Sequence, residues 1–133
     1  VVHFKGKLMK KWLILGSILL STQAFSSDYL CSYRARISQN DKFNSSGNYI
    51  ATQYSKDVVA AIIRQERANF HKFGVRDNED EGDCVFASAE NRSRLERWLA
   101  SGSIGQATIR RIVDGNPVIY VDIYRNRVSV STR

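Results

Sequence analysis

The chain has 133 residues, 43% apolar and 11% aromatic, with 20 Lys and Arg against 13 Asp and Glu and a formal net charge of +7. That length holds one domain with its own core and excludes a barrel enzyme or a two-domain nucleotide binder, while the balanced composition excludes disordered and collagen-like chains. A basic excess of this size invites a polyanion-binding reading.

The N-terminus accounts for most of that excess. Lys10 and Lys11 precede an apolar run over 12–20, and Ser21, Thr22 and Ala24 follow it. A basic start, an apolar stretch within the roughly 7–15 residues of an h-region and small residues beyond it predict a secretory signal peptide, cleaved after Ala24 or Ser26. The run is shorter than the roughly 18 apolar residues of a membrane span, so export without a stable membrane anchor is expected. Residues 1–8 read as an upstream extension of a frame that begins at Met9. The expected division is thus extension and signal peptide over 1–26 and a single α+β domain over 27–133. Lys5, Lys7, Lys10 and Lys11 fall in the removed part and every acid lies at or after Asp28, which leaves 16 basic against 13 acidic residues and a net +3. With that balance, and with no zinc-finger spacing or Lys/Arg run, nucleic acid is not an expected partner.

Export also bears on the cysteines. Two cysteines in a small domain of an oxidising compartment predict a disulfide between Cys31 and Cys84. Neither sits in a recognisable catalytic motif.

In chain order, Cys31, Tyr33, Ala35 and Ile37 alternate with Ser32, Arg34, Arg36 and Ser38, which predicts a half-buried strand over 29–38. The polar stretch 39–48 reads as a loop. Ser55 or Asp57 caps a long helix over 58–73 that Gly74 stops. An acidic loop, 77–83, leads to Cys84. Ser88 caps a second helix that runs through Trp98 and Leu99 to Gly102, and a shorter third helix spans 104–113. Pro117 opens a strand over 118–124, and Arg125-Asn126 turns it into a last strand carrying Val128 and Val130. This order predicts a small antiparallel sheet, N-terminal strand plus C-terminal hairpin, covered on one face by one long and two shorter helices.

Among residues able to carry chemistry, Glu66 stands out. With Val59 at zero and about 100° per residue, Ile62 lies at about 300°, Glu66 at about 340°, Phe70 at about 20° and Phe73 at about 320°. Glu66 is therefore expected inside the apolar stripe, where a carboxylate has to be paired, hydrogen-bonded or protonated; Arg92, beside Leu95 and Leu99, is the expected partner. His71, at about 120° with Arg64, is expected to face solvent near the helix end. The two diverge and form no dyad. In the acidic loop, Asp77, Glu79, Glu81 and Asp83 imitate the opening of an EF-hand, but Glu stands where Asp or Asn is usual and Ser88 occupies the twelfth position, so they are weak candidates for a metal; the alternative is a solvated acidic turn, which could pair with the nearby Arg76. No cofactor is called for. The polar face of the sheet should gather Arg34, Arg36, Tyr120, Asp122, Tyr124, Arg127 and Ser129, rich in the residue types that dominate interface hot spots.

These features point to an exported, non-catalytic binding protein of the periplasm or extracellular medium, an inhibitor- or immunity-type factor contacting a protein partner in the bacterial envelope or outside the cell. Two other readings compete: a small secreted hydrolase using Glu66 and His71 in one cleft, and a calcium-tuned structural module.

Overall fold

The computed structural model describes residues 28–133, so the expected signal peptide lies outside the described residues. Strand β1 (Tyr29–Arg36) is followed by a 3-10 turn (Gln39–Lys42), helix α1 (Lys56–Ala68), a π-helical turn (Asn69–Phe73), α2 (Ala89–Ser101), α3 (Gln106–Asp114), β2 (Val118–Tyr124) and β3 (Val128–Thr132). The three strands form one antiparallel sheet in the order β1-β2-β3, with Tyr33 opposite Val121 and Val121 opposite Val130. The expected α+β arrangement and its single disulfide are present. Cys31 and Cys84 are bonded across 6.3 Å between Cα atoms, tying β1 to the segment after the long helix. Closing a loop of 53 residues contributes up to about 4 kcal/mol by restricting the unfolded chain.

Local chemistry fixes the helix ends. The Ser55 and Ser88 hydroxyls accept the backbone N–H of Val58 and Asn91, satisfying amides that the first turn leaves open. Gly74 takes φ +68, the left-handed conformation that ends the long helix at little cost only for glycine. One face of the sheet presents Tyr33, Ala35, Ile119, Val121, Ile123 and Val130 to Val59, Ile62, Ile63, Leu95, Leu99, Ile109 and Ile112 of the helices, forming a continuous core. The expected loop over 39–48 contains the 3-10 turn, and two of its charges are buried. Asp41 accepts from the Ser38 backbone N–H and the Asn69 amide, while Lys42 Nζ donates to the Val113 and Gly115 carbonyls at the end of α3. Burial raises the Asp41 carboxyl above its ordinary value and lowers the Lys42 ammonium.

The long helix departs from the expected geometry in its last turn. From Asn69 it winds as a π turn, at about 80° per residue instead of about 100°, so each later side chain falls progressively behind its α-helical position. Phe73, expected in the apolar stripe, is 49% exposed, and His71 swings inward from the polar side.

Candidate functional site

Antiparallel pairing alternates the direction of backbone groups along each strand. The Tyr124 N–H donates to Arg127 across the hairpin, so alternate β2 residues bond to β3 and those between them to β1. This parity turns the N–H and C=O groups of Ser32, Arg34 and Arg36 away from β2, toward an open sheet edge. The acidic loop covers it. Arg34 N–H donates to Glu81 Oε1 and Arg36 N–H to Asp80 Oδ1, each at 2.8 Å, and Glu81 N–H returns a bond to Arg34 O at 2.8 Å. Glu79 accepts the Arg36 guanidinium at 2.8 Å, and the disulfide closes the seam at its other end. Side-chain carboxylates here stand in for a fourth strand, one way a protein blunts an edge that would otherwise template aggregation. The loop is not a solvated acidic turn, and Arg76, which could have paired with it, stacks on the Phe70 ring at 3.9 Å and donates to the Phe70 carbonyl. Of the four weak metal candidates, Glu79, Glu81 and Asp83 are engaged by protein donors. Asp77, whose N–H donates to Asp80, has a carboxyl raised by burial and by Asp80 and Glu79. Among the described residues, no three His, Cys, Asp or Glu side chains are gathered so as to hold a metal ion.

Beneath the loop, and joined to it through Asp83, lies a buried polar chain of four residues. Glu66 is buried as expected, but its partner is Arg67, not Arg92. Nε and Nη2 of Arg67 donate to the two Glu66 oxygens at 2.6 Å each. Consecutive side chains on a helix diverge by about 100°, so this pair closes only because the guanidinium folds back on its long stem. Arg67 lies at about 80° on the wheel, at the flank of the apolar stripe, the one sequence signal that could have identified it. Its guanidinium is fully buried between the rings of Tyr33 at 3.9 Å and Phe70 at 4.4 Å, and Nη1 donates to Glu81 O and to Asp83 Oδ2. Four of its five N–H donors are thereby used. Arg92 instead donates to the carbonyls of Phe86 and Ala87, holding the turn that leads into α2.

Asp83 continues the chain. Its Oδ2 also meets His71 Nε2 at 2.6 Å, and its Oδ1 accepts the backbone N–H groups of Val85 and Phe86. His71 is therefore not the solvent-facing residue expected: its side chain is 14% exposed, drawn in by the π turn. Burial would raise the Asp83 carboxyl, but the bonds from His71, the two backbone amides and Arg67 hold it below its ordinary value. Glu66 behaves oppositely: burial pushes its carboxyl up to about 7, against the pull of Arg67. The Tyr33 hydroxyl, buried beside this chain with no hydrogen-bond partner among the described residues, is raised well above its ordinary value by burial.

His71 with Asp83 reproduces the base-and-orienter half of a nucleophilic triad. Among the described residues, no hydroxyl or thiol hydrogen-bonds to His71, and neither His71 nor Glu66 lines the surface cavities at Ala61 and Arg64, at Arg110 and Pro117, at Arg34 and Tyr120, or at Tyr49 and Tyr54. The two residues that the hydrolase reading would bring into one cleft instead occupy the two ends of a buried hydrogen-bonded chain, with Arg67 and Asp83 between them.

Among the described residues, the outer face of the sheet carries no helix. Ser32, Arg34 and Arg36 of β1 lie in register with Asp122, Tyr120 and Val118 of β2. Arg127, in the turn before β3, stacks on the Tyr124 ring at 3.7 Å, and Arg133, which was not singled out from the sequence, stacks on Tyr120 at 4.1 Å. Ser32 donates to Asp122 at 2.5 Å, and Tyr29 packs edge-on against Tyr124. Arg36 bends off this face toward Glu79 and the Asn116 carbonyl, whereas Arg34 keeps only a 3.9 Å approach to Glu81. A depression of about 400 Å³ opens between Arg34, Tyr120, Asp122, Ser131 and Arg133. Comparison with protein-family models, with curated proteins and with solved structures finds no match to this chain.

Proposed function

We propose that the chain is an exported, non-catalytic binding protein of the bacterial envelope, an inhibitor- or immunity-type factor that acts by holding another protein against the outer face of its sheet. The observation that carries this reading is the pair of arginine-on-tyrosine stacks, Arg127 on Tyr124 and Arg133 on Tyr120, beside Arg34 on a face that no helix covers among the described residues. Stacking holds each guanidinium in place while leaving its N–H donors for a partner, which lowers the ordering cost of binding. The Cys31–Cys84 disulfide fits an oxidising compartment, and among the described residues no helix is long and apolar enough to cross a membrane. A hydrolase reading would require a nucleophile at His71 and an accessible Glu66; Glu66 instead lies sealed under Arg67.

The test is affinity capture from envelope extract by the mature, oxidised protein, with the Arg34→Ala, Tyr120→Ala, Tyr124→Ala variant alongside. Hot-spot residues at the centre of an interface cost 2 kcal/mol or more each, so this variant should weaken capture by at least about 100-fold while still unfolding in one cooperative transition. Undiminished capture of every partner would show that the sheet face is not the binding surface.

A further inference from the structure

The two edges of the sheet are treated differently. The parity that turns Ser32, Arg34 and Arg36 outward on β1 also turns the N–H and C=O groups of Val128, Val130 and Thr132 outward on β3, because Asp122–Ser129 and Tyr120–Ser131 are the hydrogen-bonded pairs. The β1 edge is covered by the carboxylates and backbone of the acidic loop. On the β3 edge, no backbone hydrogen bond beyond β2 is made to Val128, Val130 or Thr132 among the described residues. The strand is Val-Ser-Val-Ser-Thr, with none of the proline, lysine or inward-pointing charge by which edges are usually blunted.

Charge selects what this edge accepts. Arg127 and Arg133 flank β3 on the outer face, and on the helix-covered face Arg111 Nη1 donates to Thr132 Oγ1 at 2.9 Å. No carboxylate lies on β3 itself. A second copy pairing antiparallel in the register that uses all three outward positions would set Val130 against Val130 and therefore Arg127 against Arg133. Like charges directly opposite one another destabilise such a pair. We propose that β3 is a docking edge for an extended, acid-flanked segment of a partner protein, which adds as a fourth strand with a carboxylate near each of Arg127 and Arg133. This deepens the protein-binding reading and rests on it: strand addition supplies main-chain hydrogen bonds, and the adjoining Arg/Tyr face reads alternate side chains of the added segment.

The test uses the mature, oxidised protein and the capped peptide Glu-Thr-Val-Thr-Val-Thr-Glu. Three comparison peptides accompany it: one with Lys at both ends, and two N-methylated on alternate residues, one along each edge. Amide hydrogen exchange is followed residue by residue. The Glu-ended peptide should slow exchange at Val128, Val130 and Thr132 and leave Arg34 and Arg36 unchanged. The Lys-ended peptide should bind at least about 10-fold more weakly, and one of the two N-methylated peptides should not bind. Arg127→Ser with Arg133→Ser should weaken the Glu-ended peptide by about 2- to 30-fold. Absence of binding, binding without protection of β3, equal binding of both N-methylated peptides, or concentration-dependent protection without peptide would each overturn the proposal. Partner capture that depends on the sheet face while the peptide leaves β3 untouched removes this inference alone. A protected edge with no partner captured removes the functional reading instead.

Discussion

The buried Glu66–Arg67–Asp83 chain makes the most demanding prediction. Replacing Arg67 by Met keeps an unbranched apolar stem between Tyr33 and Phe70 but removes four donated hydrogen bonds, two to Glu66, one to Asp83 and one to the Glu81 carbonyl. Removing one member of a buried ion pair costs about 3–5 kcal/mol, because the remaining charge has neither solvent nor partner. For a domain of this size, whose whole stability lies at about 5–15 kcal/mol, a loss of about 4 kcal/mol lowers the melting temperature by about 15–30 °C. The loss should also depend on pH. Burial raises the folded-state carboxyl of Glu66 to about 7 from an ordinary value near 4.5. A raised folded pKa means that folding favours the protonated acid: that contribution is present in full below about 4.5 and lost as pH rises through about 7. Without Arg67 the carboxyl rises further, so Glu66 escapes much of the penalty by protonation at pH 5 and not at pH 8. Urea unfolding of the oxidised protein followed by circular dichroism, with unchanged m-values, measures both. Arg67→Met should cost about 3–5 kcal/mol at pH 8 and distinctly less at pH 5. Adding Glu66→Gln should recover part of the loss at pH 8, because the uncompensated carboxylate is gone. A single-variant cost below about 1 kcal/mol at pH 8, the scale of an exposed pair, or no recovery in the double variant, would refute the argument that this pair is a coupled, desolvated unit.

Two further outcomes follow from the same region. Tyr33→Phe removes a buried hydroxyl without a partner among the described residues while keeping the ring under Arg67, so it should leave stability unchanged or raise it by about 1 kcal/mol in the same unfolding assay. His71→Ala removes one of the bonds holding Asp83 below its ordinary value; a depressed carboxyl contributes stability above its unfolded pKa that is lost as pH falls through the folded one, so acid unfolding of the variant should begin at higher pH, read as the midpoint of a titration by tryptophan fluorescence.

Patterns that repeat along the chain were legible without coordinates. Alternation in β1, the apolar stripe of α1, the Ser55 and Ser88 caps, Gly74 as a stop and the strand bounds 118–124 are local consequences of backbone geometry, and each formed as its residues dictate. The sequence also placed Glu66 in the core, because a wheel needs only neighbours on one helix. Whom Glu66 meets was a different question. Arg92 satisfied the same burial pattern as a partner, and only the fold shows it turned to the Phe86 and Ala87 carbonyls while Arg67 doubles back from the adjacent position. His71 and Phe73 were misplaced for one reason: a π turn changes the angular step after Ala68, and no residue type announces it. The acidic loop was visible as a cluster of charge, but its task depends on which edge of which strand lies beside it. Strand pairing is a relation between residues some ninety positions apart, as between Ser32 and Asp122, and it alone decides that Asp80 and Glu81 face the open amides of β1 while those of β3 remain unpaired among the described residues.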